Sequence, residues 1–167
     1  MRVLLVTQSY WPDVGGAQTV LRRLAQRWDA MGVEVRVCTC RWSDAVPAQE
    51  FDGGVSIERF DYWRRRWLGT LHYLRVLDRR IRRGGFDVAY VSMLKHSAFA
   101  AVGACRAIDR PAVLRAEGAG ATGDVAWQRS ALFGAAIRRR CRRADAVVAP
   151  SRAVHAELAQ EIGRAHV

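Results

Sequence analysis

Apolar positions in this chain keep two rhythms that alternate along its length. Arg2 to Thr7 (RVLLVT) is a short, β-branched and nearly continuous apolar run, the pattern of a parallel strand covered on both faces. After a loop holding Pro12 and Gly15-Gly16, Val20, Leu21, Leu24, Trp28 and Met31 recur at helical spacing and stop at Gly32, a natural helix end. Glu34 to Cys40 (EVRVCTC) returns as a second strand. A right-handed crossover makes it parallel to the first.

The alternation continues to the end of the chain. It predicts a strand over 55–60, a helix over about 64–83, a strand over 87–92 and a helix over about 97–108. A strand led by Pro111 then ends near Arg115, a glycine-rich loop spans Glu117 to Gly123, and one long helix covers about 126–143. Ala146 to Ala149 closes the sheet, and Ser151 caps a last helix carrying Val154, Leu158 and Ile162. Strands alternating with helices of this length predict an α/β fold: a Rossmann-like open sheet of about six mostly parallel strands, with helices on both faces. At 167 residues, one domain is expected.

Charge narrows the partners without choosing one. Twenty-seven basic residues against 16 acidic ones give a net charge of +11, and Lys95 is the only lysine. Such a surface attracts phosphate, whether on nucleic acid, anionic lipid or a diphosphate-linked sugar. No recognised nucleic-acid module or single-strand stacking platform is present, so no specific nucleic-acid partner is expected. Cys38, Cys40, Cys105 and Cys141 form no C-x-x-C pair, and no histidine stands at zinc-finger spacing, so no metal is expected. Cys38 and Cys40, two apart in a strand, point to one face, where small buried side chains are the simpler reading than redox partners.

Several positions carry candidate chemistry. Gly15 and Gly16 stand where a Rossmann-like fold presents free N–H groups and a positive helix end to phosphate, although a turn alone would also use them. Their spacing does not fit the dinucleotide fingerprint G-x-G-x-x-G. From Trp63 to Arg83, the residues Trp63, Trp67, Leu71, Leu74, Leu77 and Ile81 form one stripe, with arginines crowding the other faces. Trp63, Arg64, Arg65, Arg66 and Trp67 are candidates for contact with an anionic membrane surface; the alternative is an ordinary crossover helix packed on the sheet. A second basic cluster, Arg138 to Arg143, ends the long predicted helix, where cations complement the dipole.

The ordered series RVLLVTQSYWPDVGGAQTVLRRLAQRWDAMGVEVRVCT, Asp87-Val88, PAVLR at 111–115 and ADAVVAPSRAVHAEL at 144–158 resembles the N-terminal half of family 4 glycosyltransferases of the GT-B fold. The resemblance implies an acceptor-side half of a retaining, metal-independent enzyme. It also implies a nucleotide-sugar donor as substrate, no cofactor, and a glycan or lipid-linked acceptor. It places Gly15 and Gly16 toward the donor diphosphate or acceptor phosphate. Where many members carry a histidine after the proline-led strand, this chain has Glu117. Glu117 and His96 are therefore the catalytic-position candidates, and they join Arg115 as candidates for binding phosphate or acceptor. Arg115 and Glu117 equally suit a plain ion pair at a strand end, and His96 a structural role.

The family's paired glutamates and nucleotide-binding loops belong to a C-terminal half that these residues do not supply, so this chain alone is expected to be inactive. Residues 1–160 are expected to be the acceptor-side domain. Glu161 to Val167 (EIGRAHV) resembles a translated sequencing adapter and is expected to be a non-native tail. With a strand beginning at residue 2 and no membrane-length apolar run, the expected location is cytoplasmic, with peripheral contact at the inner face of the membrane. The alternative to the whole reading is a basic Rossmann-like binding module for nucleic acid or anionic membrane.

Overall fold

A computed structural model describes residues 1–63 and 65–163. Arg64 of the membrane-surface candidates, and residues 164–167 of the expected tail, lie outside the described residues, as does the side chain of Arg66. The strands are β1 (Arg2–Val6), β2 (Glu34–Arg41), β3 (Gln49–Asp52), β4 (Val55–Asp61), β5 (Val88–Ser92), β6 (Ala112–Arg115) and β7 (Ala146–Val148). The helices are α1 (Gly16–Ala30), α2 (Arg66–Arg82), α3 (His96–Ala107), α4 (Asp124–Ser130), α5 (Gly134–Cys141) and α6 (Arg152–Glu161).

The strands form one sheet in the order β3-β4-β2-β1-β5-β6-β7, parallel throughout except for β3, which pairs antiparallel with β4. β1 is central, with β2 on one side and β5 on the other. The strand order therefore reverses between β1 and β5, and it is outside the carboxyl ends of the strands at such a point that open α/β sheets bind ligands. Alternation along each strand feeds two cores. Leu5, Val35, Val37, Val55 and Ile57 meet Leu21 and Ala25 of α1 on one face. Leu4, Val6, Cys38, Cys40 and Val91 meet residues of α2, α3 and α5 on the other.

The structure corrects the sequence reading in four places. β3 is an added edge strand: its alternation of exposed and half-buried residues in QEFD hides it, and the Gly53-Gly54 turn after it, with Gly53 at φ 66°, is its local signal. The single helix expected over 126–143 is two short ones. Ser130 Oγ donates back to the carbonyls of Ala126 and Trp127, Ala131 turns extended, and Gly134 lies so close to the backbone of Gln128 that a Cβ would sit 1.6 Å from its carbonyl oxygen.

In α1 the buried positions are Leu21 and Ala25, while Val20 and Met31 face solvent. The apolar stripe of α2 divides along its length. Tyr73, Leu77 and Ile81 are buried in the core that α3 and the sheet share, but Trp63, Trp67 and Leu71 stand exposed. The arginines of α2 divide too. Arg80 turns inward to pair with Glu58 of β4, and Arg82 pairs with Asp78 at 2.8 Å.

Candidate functional site

All the candidate residues outside α2 belong to segments at the carboxyl edge, because each follows or ends a parallel strand. Gly15 and Gly16 come after β1, His96 after β5, and Arg115 with Glu117 at the end of β6. Two of them are brought into direct contact. Arg115 Nη1 lies 2.6 Å from Glu117 Oε1, and Ser92 Oγ at the end of β5 donates to the same oxygen at 2.6 Å. The ion pair that these residues equally suited is present, with both side chains largely covered.

Gly15 precedes the first turn of α1 in extended conformation, and α1 starts with neither a side-chain cap nor an acidic residue in that turn. No side chain of that first turn therefore offsets its positive end. Packing does not require glycine at either position. A Cβ on Gly16 would meet nothing within 4 Å, and one on Gly15 would meet only the mobile amide end of Gln18. The loop before them is fixed from the opposite side. Buried Arg59 on β4 donates to the carbonyls of Trp11 and Pro47 and pairs with Glu50. Arg22, held by Asp52 at 2.7 Å, lies over the Trp11 ring at 3.9 Å. Within the loop Ser9 donates to Asp13, and Tyr10 is buried, which pushes its hydroxyl up to about 12.

The loop carrying Glu117 is fixed by Asp124, the first residue of α4. Its carboxylate accepts the backbone N–H of Glu117 at 2.8 Å and that of Leu94 at 3.2 Å, so the loops after β5 and β6 share one anchor. Burial pushes the Asp124 carboxyl above the usual aspartate range, against the pull of those two N–H groups and of Lys95. His96 opens α3 half-buried, its ring edge-on to Trp127 at 5.1 Å, and burial together with Lys95 holds its imidazole below the usual histidine range. The His96 ring is therefore kept neutral near pH 7.

Arg59, Ser92 and Asp124 were not singled out by sequence reasoning. Arg59 left a signal: it stands two and four residues from Ile57 and Val55 in an alternating strand, so its side chain had to enter the same core face. For Asp124 the signal is an acidic residue directly after Gly123 at a helix start. Ser92 left none. Among the described residues, no group of three or more His, Cys, Asp or Glu is arranged to hold a metal ion.

The sequence pattern of Glycosyltransferase Family 4 matches residues 14–167. No curated protein sequence matches the chain. Among solved structures, sucrose-phosphate synthase from Thermosynechococcus elongatus superposes with a TM-score of 0.76 at 12% identity, over 99% of this chain and 47% of that one. UDP-GlcNAc 2-epimerase from Methanocaldococcus jannaschii gives 0.64 at 11% identity, over 99% and 44%. An α,α-trehalose-phosphate synthase (UDP-forming) from Burkholderia vietnamiensis gives 0.61 at 14% identity, over 96% and 42%. At these identities the likeness establishes a shared fold, and the chain spans less than half the length of each of these three neighbours.

Proposed function

The chain belongs to Glycosyltransferase Family 4, and on that premise we propose that its carboxyl edge forms the acceptor-side wall of a crevice in which a nucleotide sugar gives up its sugar with retention. The observation that carries this reading is the open start of α1. Uncapped N–H groups beside Gly16, with empty space where a Cβ would stand, suit the close approach of a diphosphate at the point where the strand order reverses. The family assignment does not favour the alternative of a basic Rossmann-like binding module for nucleic acid or anionic membrane.

Within this reading Arg115 and Glu117 divide the work at the end of β6. Glu117 accepts a hydrogen bond from Ser92 and is ion-paired with Arg115, and is offered as the group that orients an acceptor or sugar hydroxyl. Two of the structural neighbours are named for phosphorylated sugar products, and two names include UDP; a UDP-sugar is the donor we infer here. Stabilising the departing diphosphate needs donors on both sides of it, and these residues supply one wall. No cofactor or metal enters the proposed step.

We further infer peripheral attachment at the inner face of the membrane. Trp67 is 67% exposed, Leu132 91% and Phe133 65%, and arginines of α2 lie on neighbouring turns. No helix among the described residues is long and apolar enough to cross a membrane.

The test is a titration of the chain with UDP and with pyrophosphate, followed by amide NMR. The expected result is saturable shifts of the amides of residues 15–18, with no turnover of a nucleotide sugar by the chain alone. Unmoved amides there, or sugar transfer by the chain alone, would overturn the proposal.

A further inference from the structure

A cleft of about 400 Å³ lies between α2, α3 and α5, lined by Arg75, Arg79 and Arg82 of α2 and by Arg140 of α5. Leu74 and Phe99 form its apolar part, and Asp78 is the one acidic residue in the lining. α2, α3 and α5 lead into β5, β6 and β7, so their last turns lie toward the amino ends of these strands. Arg75 to Arg82, Gly103 and Arg140 all belong to the second halves of their helices. The cleft is therefore set away from Gly15, Gly16 and Glu117, which follow the carboxyl ends.

The arginines of this cleft lack the partners that others have. Arg2, Arg22, Arg41, Arg115 and Arg138 each reach a carboxylate elsewhere in the fold. Among the described residues, Arg75, Arg79 and Arg140 reach none, and Asp78 is taken by Arg82 at 2.8 Å.

Arg140 is nonetheless held in place. Its guanidinium lies over the Phe99 ring, 4.7 Å from the centroid, and against Gly103 one turn along α3. A Cβ at 103 would stand 2.3 Å from its Nη1, and the nearest atoms such a Cβ would meet all belong to that guanidinium. Glycine inside a helix costs stability relative to alanine, and here no positive φ requires it. Cations in the last turns of α2 and α5 complement the helix dipoles. That leaves Arg75, well before the last turn of α2, and Gly103 without a reason.

Unpaired guanidinium groups turned into one hollow match phosphate, whose oxygens accept their paired N–H groups. The volume falls within the ~300–1,000 Å³ of small-molecule sites, and a bounded hollow suits a compact anion, where a bilayer or a nucleic-acid duplex needs a protruding surface. We propose that this cleft binds a compact polyphosphate, an anion carrying at least two phosphate groups, with Arg75, Arg79 and Arg140 as its ligands. It is a second phosphate site, apart from the one proposed at residues 15–18, and does not depend on it.

The experiment is an amide NMR titration of the chain with inorganic triphosphate at ~0.15 M ionic strength. Saturable shifts at residues 75–79 and 99–103 are expected, read separately from those at 15–18. Inorganic phosphate binds there about tenfold more weakly, and Arg79→Gln or Arg140→Gln weakens triphosphate binding about tenfold. Gly103→Ala, which displaces the guanidinium of Arg140, weakens it severalfold although the chain melts no earlier. Asp78→Asn removes the one acid of the lining and tightens binding severalfold. Arg106→Gln and Arg139→Gln, exposed changes outside the lining that lower net charge equally, leave it within about twofold.

Three outcomes would overturn the assignment. Shifts confined to residues 15–18 would show that the cleft takes no polyphosphate. An equal loss in Arg139→Gln and Arg140→Gln would reduce the response to net charge. Absence of triphosphate binding, with vesicles of phosphatidylcholine and phosphatidylglycerol sedimenting the parent chain but not Arg79→Gln, would make these arginines a bilayer contact. Shifts in the cleft with none at 15–18 would overturn the crevice reading alone and leave this site standing.

Discussion

The carboxylate of Asp124 holds the backbone N–H of Glu117 at 2.8 Å, and with its other oxygen that of Leu94, so one buried acid sets the positions of two loops at the sheet's carboxyl edge. Two consequences follow from physical chemistry alone.

Asp124→Ala leaves two backbone donors without their acceptor. Each buried unsatisfied group costs about 1–3 kcal/mol, so a loss of about 2–6 kcal/mol in urea unfolding is expected. Amide exchange over 117–123 should accelerate beyond what the global loss explains. A variant with unchanged loop exchange would show that other contacts hold Glu117.

The same residue gives stability a pH dependence of definite sign. Because burial raises its folded-state pKa above the unfolded value, the native state binds more protons between the two. Its contribution is fully present below the ordinary aspartate range and is lost as pH rises through the raised value. His96 acts in the other direction on charge: its folded-state pKa is lowered, so the native state resists protonation and stability falls as pH drops through the ordinary histidine range. Chemical denaturation across pH 3 to 8 should therefore show a slope near the histidine range that His96→Gln removes, and one at lower pH that Asp124→Asn removes.

Two glycines divide by what surrounds them. Gly134→Ala drives a Cβ into the carbonyl of Gln128, a backbone atom that cannot swing aside, and should destabilise the fold by about 2 kcal/mol or more while disturbing the α4–α5 junction. Gly16→Ala meets open space inside a helix and should leave stability unchanged or raise it by up to about 1 kcal/mol. Its effect belongs to function: the pyrophosphate response of residues 15–18 should weaken although the protein melts no earlier. A Gly16→Ala chain that binds pyrophosphate like the parent would remove phosphate approach as the reason for glycine there.

Much of the fold was legible because strand and helix periods differ and neither depends on distant contacts. The β-α alternation, the parallel sheet and the helix end at Gly32 all follow from local pattern. The break at Ala131 was not legible, since it depends on how closely Gly134 approaches Gln128, which no periodicity records. Burial along α2 was half legible. The stripe from Trp63 to Ile81 is continuous in sequence, but which part of it other elements cover is a tertiary fact, and Trp67 and Leu71 are left exposed. At the candidate site, the residues read from sequence lie on the expected edge, while the groups that hold them, Asp124, Ser92 and Arg59, act across 7 to 48 positions of chain.

The four cysteines offer a probe of global unfolding. All are free and buried, and burial pushes Cys38 up to about 11 and both Cys105 and Cys141 up to about 12. Thiolate is the reactive form, so the native chain should resist a thiol-specific disulfide reagent at pH 8 and react at four sites only as it unfolds. Rapid labelling of any one of them in the native state would contradict the packing of the core on the one sheet face where all four lie.

Arg59 joins the core to the glycine loop, and its replacement should separate stability from conformation of the site. Its guanidinium is buried on β4 and bonds the carbonyls of Trp11 and Pro47 together with the half-exposed Glu50. Arg59→Met keeps much of the apolar volume but removes all three bonds, and the two carbonyls lose their charged donor. About 2–4 kcal/mol of destabilisation is expected in urea unfolding, below the full value for a wholly buried pair because Glu50 retains water. Arg59→Lys should restore little, since one ammonium cannot reproduce the planar fork that reaches both carbonyls and the carboxylate. The informative comparison is with Arg22→Met, which removes only the Asp52 pair and the contact over Trp11. If the loop is held mainly from the core, Arg59→Met should abolish the ordered pyrophosphate response at residues 15–18 in conditions where the chain is still folded, while Arg22→Met weakens it only slightly. Equal effects of the two would place the restraint on the surface, at Trp11, and not in the buried guanidinium.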